Sequence, residues 1–78
     1  MKKVIVLLAE GFEEIEAISI IDILRRAEIS VTTVSIGKEK EVKGAHNVPV
    51  VADKLFDDVD FASYNMLVLP GGMPGAKN

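Results

Sequence analysis

The 78 residues contain no cysteine and a single histidine, His46. The first absence excludes a disulfide staple and a thiolate metal site within this chain. The second excludes a cage built from histidines, so neither a metal nor a cofactor is expected. Excess positive charge is also missing: nine Lys and Arg stand against twelve Asp and Glu, for a net charge of −3. Without a basic patch, a nucleic-acid partner is disfavoured. Long apolar runs are absent too. The longest, residues 4–9, is far short of the ~20 residues that cross a bilayer, which argues against a membrane partner. Lys2 and Lys3 before that run mimic the start of a signal peptide. However, Glu10, Glu13, Glu14 and Glu16 follow at once with no small-residue cleavage site, so a soluble cytoplasmic protein is expected. There are no internal repeats, low-complexity tracts or linkers, and the length allows one domain at most.

What is present reads as alternating strand and helix. Residues 4–9 (VIVLLA) form the continuous apolar run of a strand covered on both faces. A helix is expected from Phe12 or Glu13 to Ala27 or Glu28, with acids in its first turn and Arg25 and Arg26 in its last. Residues 30–36 (SVTTVSI) then give a second strand, so residues 3–36 form a βαβ unit with parallel strands and a right-handed crossover. Residues 40–52 read as a small hairpin excursion, with short strands at 41–43 and 48–52 and Pro49 implying an edge. Residues 55–61 suit a short helix or turn. Residues 65–69 are another buried-strand run, leading into a glycine-rich turn, so that 65–75 is strand plus Gly-Gly turn. A parallel apolar sheet needs helices on both faces, yet one substantial helix is present. Residues 1–78 therefore look like the N-terminal part of a single larger α/β domain.

Two turns are candidates for chemistry: residues 9–11 after the first strand and Pro70-Gly71-Gly72 after the last. In open parallel sheets ligands bind outside the carboxyl ends of the strands, where both turns would lie. The Gly71 and Gly72 amides suit an oxyanion; equally, the glycines suit a tight turn. No Gly-Lys-Ser/Thr phosphate loop and no Gly-x-Gly-x-x-Gly fingerprint occurs. On a helical wheel Glu16 falls among Ile20, Ile23 and Ala27, with Leu24 widening the same stripe, while Glu14 points elsewhere. A carboxylate on the core side near the strand ends suits general acid/base work or a hydrogen bond to a nucleophile. It would otherwise satisfy first-turn N–H groups or reach solvent. Glu13 and Glu14 are expected to be solvated or capping groups, as are Asp57, Asp58 and Asp60. His46, alone in a polar turn, is expected on the surface. Met66 is expected in the core and Met73 in the turn.

Residues 4–17 (VIVLLAEGFEEIEA), 22–27 (DILRRA), 31–34 (VTTV) and 67–76 (LVLPGGMPGA) together resemble, in order, the opening of the ThiJ/PfpI superfamily. The nearest branch is that of the human parkinsonism-associated deglycase and its bacterial relatives. The resemblance implies a flavodoxin-like fold, a parallel sheet sandwiched by helices. It also implies a reactive cysteine in a strained elbow, hydrogen-bonded to the carboxyl group at Glu16, and an oxyanion pocket made by the Gly71 and Gly72 amides. The positions matching Glu13, Asp22, Arg26 and His46 lie near a dimer contact and the active site in that branch, where Arg often replaces His46. The implied activities are glyoxalase or deglycase chemistry on methylglyoxal, a small aldehyde, or on glycated groups. A redox-sensing chaperone and an intracellular peptidase or amidase are the alternatives. The implied assembly is a homodimer built partly on the first helix. Because this chain holds no cysteine, the resemblance further implies that the nucleophile belongs to a C-terminal part beyond Asn78, continuous or as a separate cleaved chain.

Overall fold

A computed structural model describes residues 2–71. The first strand, β1, spans Lys3–Leu8, and the helix α1 spans Glu14–Arg26. The second strand, β2, spans Ser30–Ser35 and pairs with β1 in parallel, Val4 opposite Val31 and Leu8 opposite Ser35. The βαβ unit is thus present. A hairpin follows, with β3 at Glu41–Lys43 antiparallel to β4 at Pro49–Val51. Then come a two-residue strand β5 (Lys54–Leu55) and two 3-10 turns, Phe56–Asp58 and Phe61–Ser63. The last strand, β6, spans Met66–Val68.

The main sheet runs β5-β2-β1-β6 with every pairing parallel. It is covered on both faces, which explains the unbroken apolar run of β1. Val6 and Leu8 point to the α1 side, where they join Phe12, Ala17, Ile21, Val31, Val42 and Ala52 in one core. The hairpin supplies Val42 and Ala52, so it shares this layer with α1. Ile5, Leu7 and Val34 point to the other face, against Val59 and Tyr64 from the turn region. Each fully buried side chain of this size stabilises by roughly 1.5–3 kcal/mol.

Both ends of α1 are closed by local chemistry. Glu13 is the N-cap, its Oε1 accepting from Ile15 N at 3.3 Å. At the far end Glu28 N bonds Arg25 O and Ile29 N bonds Leu24 O, with Glu28 at φ 63°. That is the left-handed stop that usually takes glycine.

Two expectations differ from the structure. Residues 54–55 add a strand to the sheet that no hydrophobic pattern announces. It is two residues long, and Asp53 fixes it: Asp53 N donates to Thr33 O and Thr33 Oγ1, and Asp53 Oδ2 accepts from Thr33 N. Met66, expected in the core, is 58% exposed, because β6 lies at the edge of the sheet among the described residues.

Candidate active site

The order of the strands decides where a site can form. From β1 the chain crosses through α1 to β2 on one side and later returns as β6 on the other. The carboxyl ends of β1 and β6 therefore flank the point where the winding reverses, the usual crevice for a ligand. The turns at 9–11 and 70–71 both open there, and the N-terminus of α1 starts between them. Glu13 N donates to Gly71 O at 2.8 Å, stitching the β6 turn to the first turn of the helix.

Glu16 completes that stitch from its side chain. Its Oε1 accepts from Gly71 N at 3.0 Å, while no bond to Oε2 occurs among the described residues. The approach is close: a Cβ at Gly71 would collide with Glu16 Oε1, so glycine at 71 is a condition of the contact. Two sequence-expected site residues are thus brought together, but in changed roles. The Gly71 N–H already serves a carboxylate, so it is committed to holding Glu16. Gly72 and Met73 lie outside the described residues.

Glu16 and Glu14 exchange the positions expected of them. Glu16 is exposed, and Glu14 is buried at 8% exposure. The helix faces the sheet through Glu14, Ala17 and Ile21, with Ile20 and Leu24 beside them. Isoleucines also stand on the outer side, Ile15 at 76% and Ile18 at 48% exposure, with Ile23 at 64%. Apolar residues therefore surround most of α1, and periodicity alone places the buried stripe one residue step away from its true centre.

Glu14 is not solvated but fully engaged by the β3–β4 turn. Its Oε2 accepts from His46 N at 2.8 Å and Val48 N at 3.2 Å, and its Oε1 meets His46 Nδ1 at 2.9 Å. Burial alone pushes this carboxyl up. The hydrogen bonds outweigh it: those from the His46 ring, from its own backbone N–H and from the His46 and Val48 amides together hold the pKa at about 2. An ionised carboxylate only accepts, so Nδ1 of His46 carries the proton in this contact. The Glu14 hydrogen bond and charge, with Glu13 adding its own, raise the His46 pKa above 6.5 against a smaller opposing effect of burial. His46 is a surface residue as expected, its side chain 69% exposed, yet it is tied to a buried acid.

The turn is fixed from other directions as well. Ala45 N donates to Phe12 O at 2.8 Å, Gly11 N to Lys43 O at 2.9 Å, and Lys43 N to Glu10 Oε2 at 2.9 Å. A Cβ at Gly44 would run into the Glu14 carboxylate, and Asn47 sits at φ 65°, a conformation Asn tolerates. Glu13, Glu14 and His46 bring three ligand-type atoms within 4.8 Å of one another. Because Glu14 and His46 already satisfy each other, this donor set fits an ion pair and not a metal cage. Asp22 and Arg26 pair with each other at 3.1 Å on the exposed side of α1, about 12 Å and about 18 Å along the axis from Glu14. They do not join the cluster.

The DJ-1/PfpI family matches residues 2–78. The chain belongs to the DJ-1/PfpI family. It is 43% identical over 75 residues to Protein DJ-1 homolog B of Arabidopsis thaliana, a match covering 96% of this chain and 17% of that protein. Among solved structures, oxidized DJ-1 of Toxoplasma gondii superposes with a TM-score of 0.90 at 44% identity, covering 95% of this chain and 40% of that one. A DJ-1 superfamily protein from Salmonella typhimurium, solved with a cysteine replaced by alanine, superposes with a TM-score of 0.88 at 48% identity, covering 96% and 40%. The chain therefore spans well under half the length of these DJ-1 relatives. The parallel α/β fold of the family is the fold seen here. Among the described residues no helix is long and apolar enough to cross a membrane.

Sequence reasoning missed Glu14 and Gly44. The usable signal was His46 in a turn of a chain whose α1 begins with a surplus of acids.

Proposed function

We propose that this chain supplies the N-terminal share of a cysteine-dependent site of the glyoxalase or deglycase type, acting on small reactive aldehydes or glycated groups. The observation that carries this reading is the disposition of Glu16: one oxygen is anchored to the Gly71 amide beside the crevice between β1 and β6, and the other takes no hydrogen bond among the described residues. The relatives add support, since the Toxoplasma protein was solved oxidized and the Salmonella protein with a cysteine removed. The nucleophile comes from the C-terminal part of the domain. Its thiolate sulfur bonds to the aldehyde carbon, the carbonyl π pair moves to oxygen, and the proton that left the thiol returns to that oxygen through Glu16 Oε2. The Gly72 amide is the proposed oxyanion donor, because Gly71 is already engaged. The outer stripe of α1, with Ile15, Ile18 and the Asp22–Arg26 pair, suits contact with a second copy in a homodimer.

The test is methylglyoxal consumption by the intact protein. Replacing the cysteine by serine abolishes it, and Glu16→Ala lowers it by the 10²–10⁴-fold typical of a lost acid/base group. Full consumption by Glu16→Ala would overturn the assignment. A wild-type protein that protects client proteins from aggregation but consumes no methylglyoxal would place the family fold in a chaperone role instead.

A further inference from the structure

The β3–β4 turn and the 70–71 turn meet the N-terminus of α1 from opposite sides. The second belongs to the proposed reaction; the first has no assigned task. Few groups link that first turn to the start of the helix among the described residues. Glu14 accepts three of these hydrogen bonds, from His46 N, His46 Nδ1 and Val48 N, and Ala45 N donates to Phe12 O just ahead of the helix. Gly44 leaves the space that lets the carboxylate reach under the turn. Because Glu13, the residue before, bonds Gly71 O, anything that shifts the start of α1 also shifts Glu16 and its turn.

We propose that Glu14 is a positioning residue that clamps the 44–48 turn to the start of α1, and that His46 makes the strength of this clamp depend on pH. The inference rests on the reading of Glu16 as the acid/base group only for its consequence on activity; the clamp itself stands on geometry. From α1 the ionisable groups facing His46 are Glu13 and Glu14. On the hairpin, Lys43 and Glu41 form no ion pair with it among the described residues. Nδ1–H stays on Glu14 in either state, so deprotonation takes place at Nε2, and the contact persists without its charge.

The sign follows from the raised pKa of His46. The charge-assisted part of the clamp is complete below pH 6.5, the value of the unfolded side chain, and is lost as pH rises through the folded-state value above it. At the acid end Glu14 keeps its charge until pH falls through about 2. The clamp is therefore strongest in the mildly acidic range and weakens toward alkaline pH.

The experiment is a proton NMR titration of the intact protein, the His46 ring signal assigned by its loss in His46→Gln. The expected midpoint lies above 6.5 in the wild type, falls toward 6.5 in Glu14→Gln, and is unmoved by Glu16→Gln. His46→Arg, which keeps a permanent cation at an exposed position and so should fold, removes the loss of stability expected of the wild type as pH rises above 6.5 through the raised His46 value. A His46 midpoint of 6.5 in the wild type, or identical stability profiles for wild type and His46→Arg, would overturn the proposal. Neither readout involves turnover, so failure of the aldehyde chemistry leaves both measurements decisive. If methylglyoxal consumption is established, its pH profile should also lose its alkaline shoulder in His46→Arg.

Discussion

Two glycine-containing turns flank the N-terminus of α1, and a carboxylate from the helix reaches each of them. At the β3–β4 turn Glu14 is buried, both oxygens are occupied, and its charge is matched by His46. At the 70–71 turn Glu16 is exposed, one oxygen is bonded to Gly71 N, and no cation stands against it among the described residues. The residues are two positions apart and chemically identical. What differs is closure: a satisfied carboxylate is an architectural group, whereas one with a spare oxygen at a crevice can still exchange a proton. Buried polar groups are held in place by complete hydrogen bonding, and the role proposed for Glu16 rests on its being less completely held.

Adding a methyl group at each turn separates the two cases. Gly44→Ala forces a Cβ into the Glu14 carboxylate, which is enclosed and cannot move aside. A loss of about 2–3 kcal/mol in unfolding free energy is expected, the cost of overpacking, read from the denaturant midpoint. Gly71→Ala meets Glu16 Oε1 instead, but that side chain is exposed and can swing into solvent. Stability should fall by less than about 1 kcal/mol, while methylglyoxal consumption drops because Glu16 loses its anchor. Equal stability losses at the two glycines would erase the distinction. The smallest effect is expected at Asp22→Asn on the outer face of α1. This exposed i,i+4 pair contributes about 0.3–0.5 kcal/mol, and thermal unfolding in low and high salt would show the difference shrink.

The sequence made some of this legible and hid the rest for physical reasons. The unbroken apolar run of residues 4–9 announced a strand buried on two faces, and the acids and arginines at the helix ends marked α1 to within two residues. The hairpin was readable because turn residues separate two short β-branched segments. The strand at 54–55 was not: it is held by the backbone and side chain of Asp53 and Thr33, which carry no periodic signal. Glu16 was singled out by the wheel as a core-side carboxylate and then by its family position, but the wheel placed it on the wrong face, since Ile15, Ile18 and Ile23 blur the apolar stripe. Glu14 was hidden for a deeper reason. Its partner His46 is 32 residues away, and no local rule predicts that a turn will deliver two amides and an imidazole to one carboxylate.

The central claim is that Glu16 serves a thiol through its Oε2, and thiol titration of the intact protein tests it most directly. Once Glu16 has taken the thiol proton, the carboxylic acid so formed donates back to the thiolate, so Glu16→Ala removes that donor and should raise the cysteine pKa by about one unit or more. Glu16→Gln should move it less, since its carbonyl can still accept from Gly71 N while its amide still donates. A cysteine that titrates identically in the wild type and in Glu16→Ala would contradict the account.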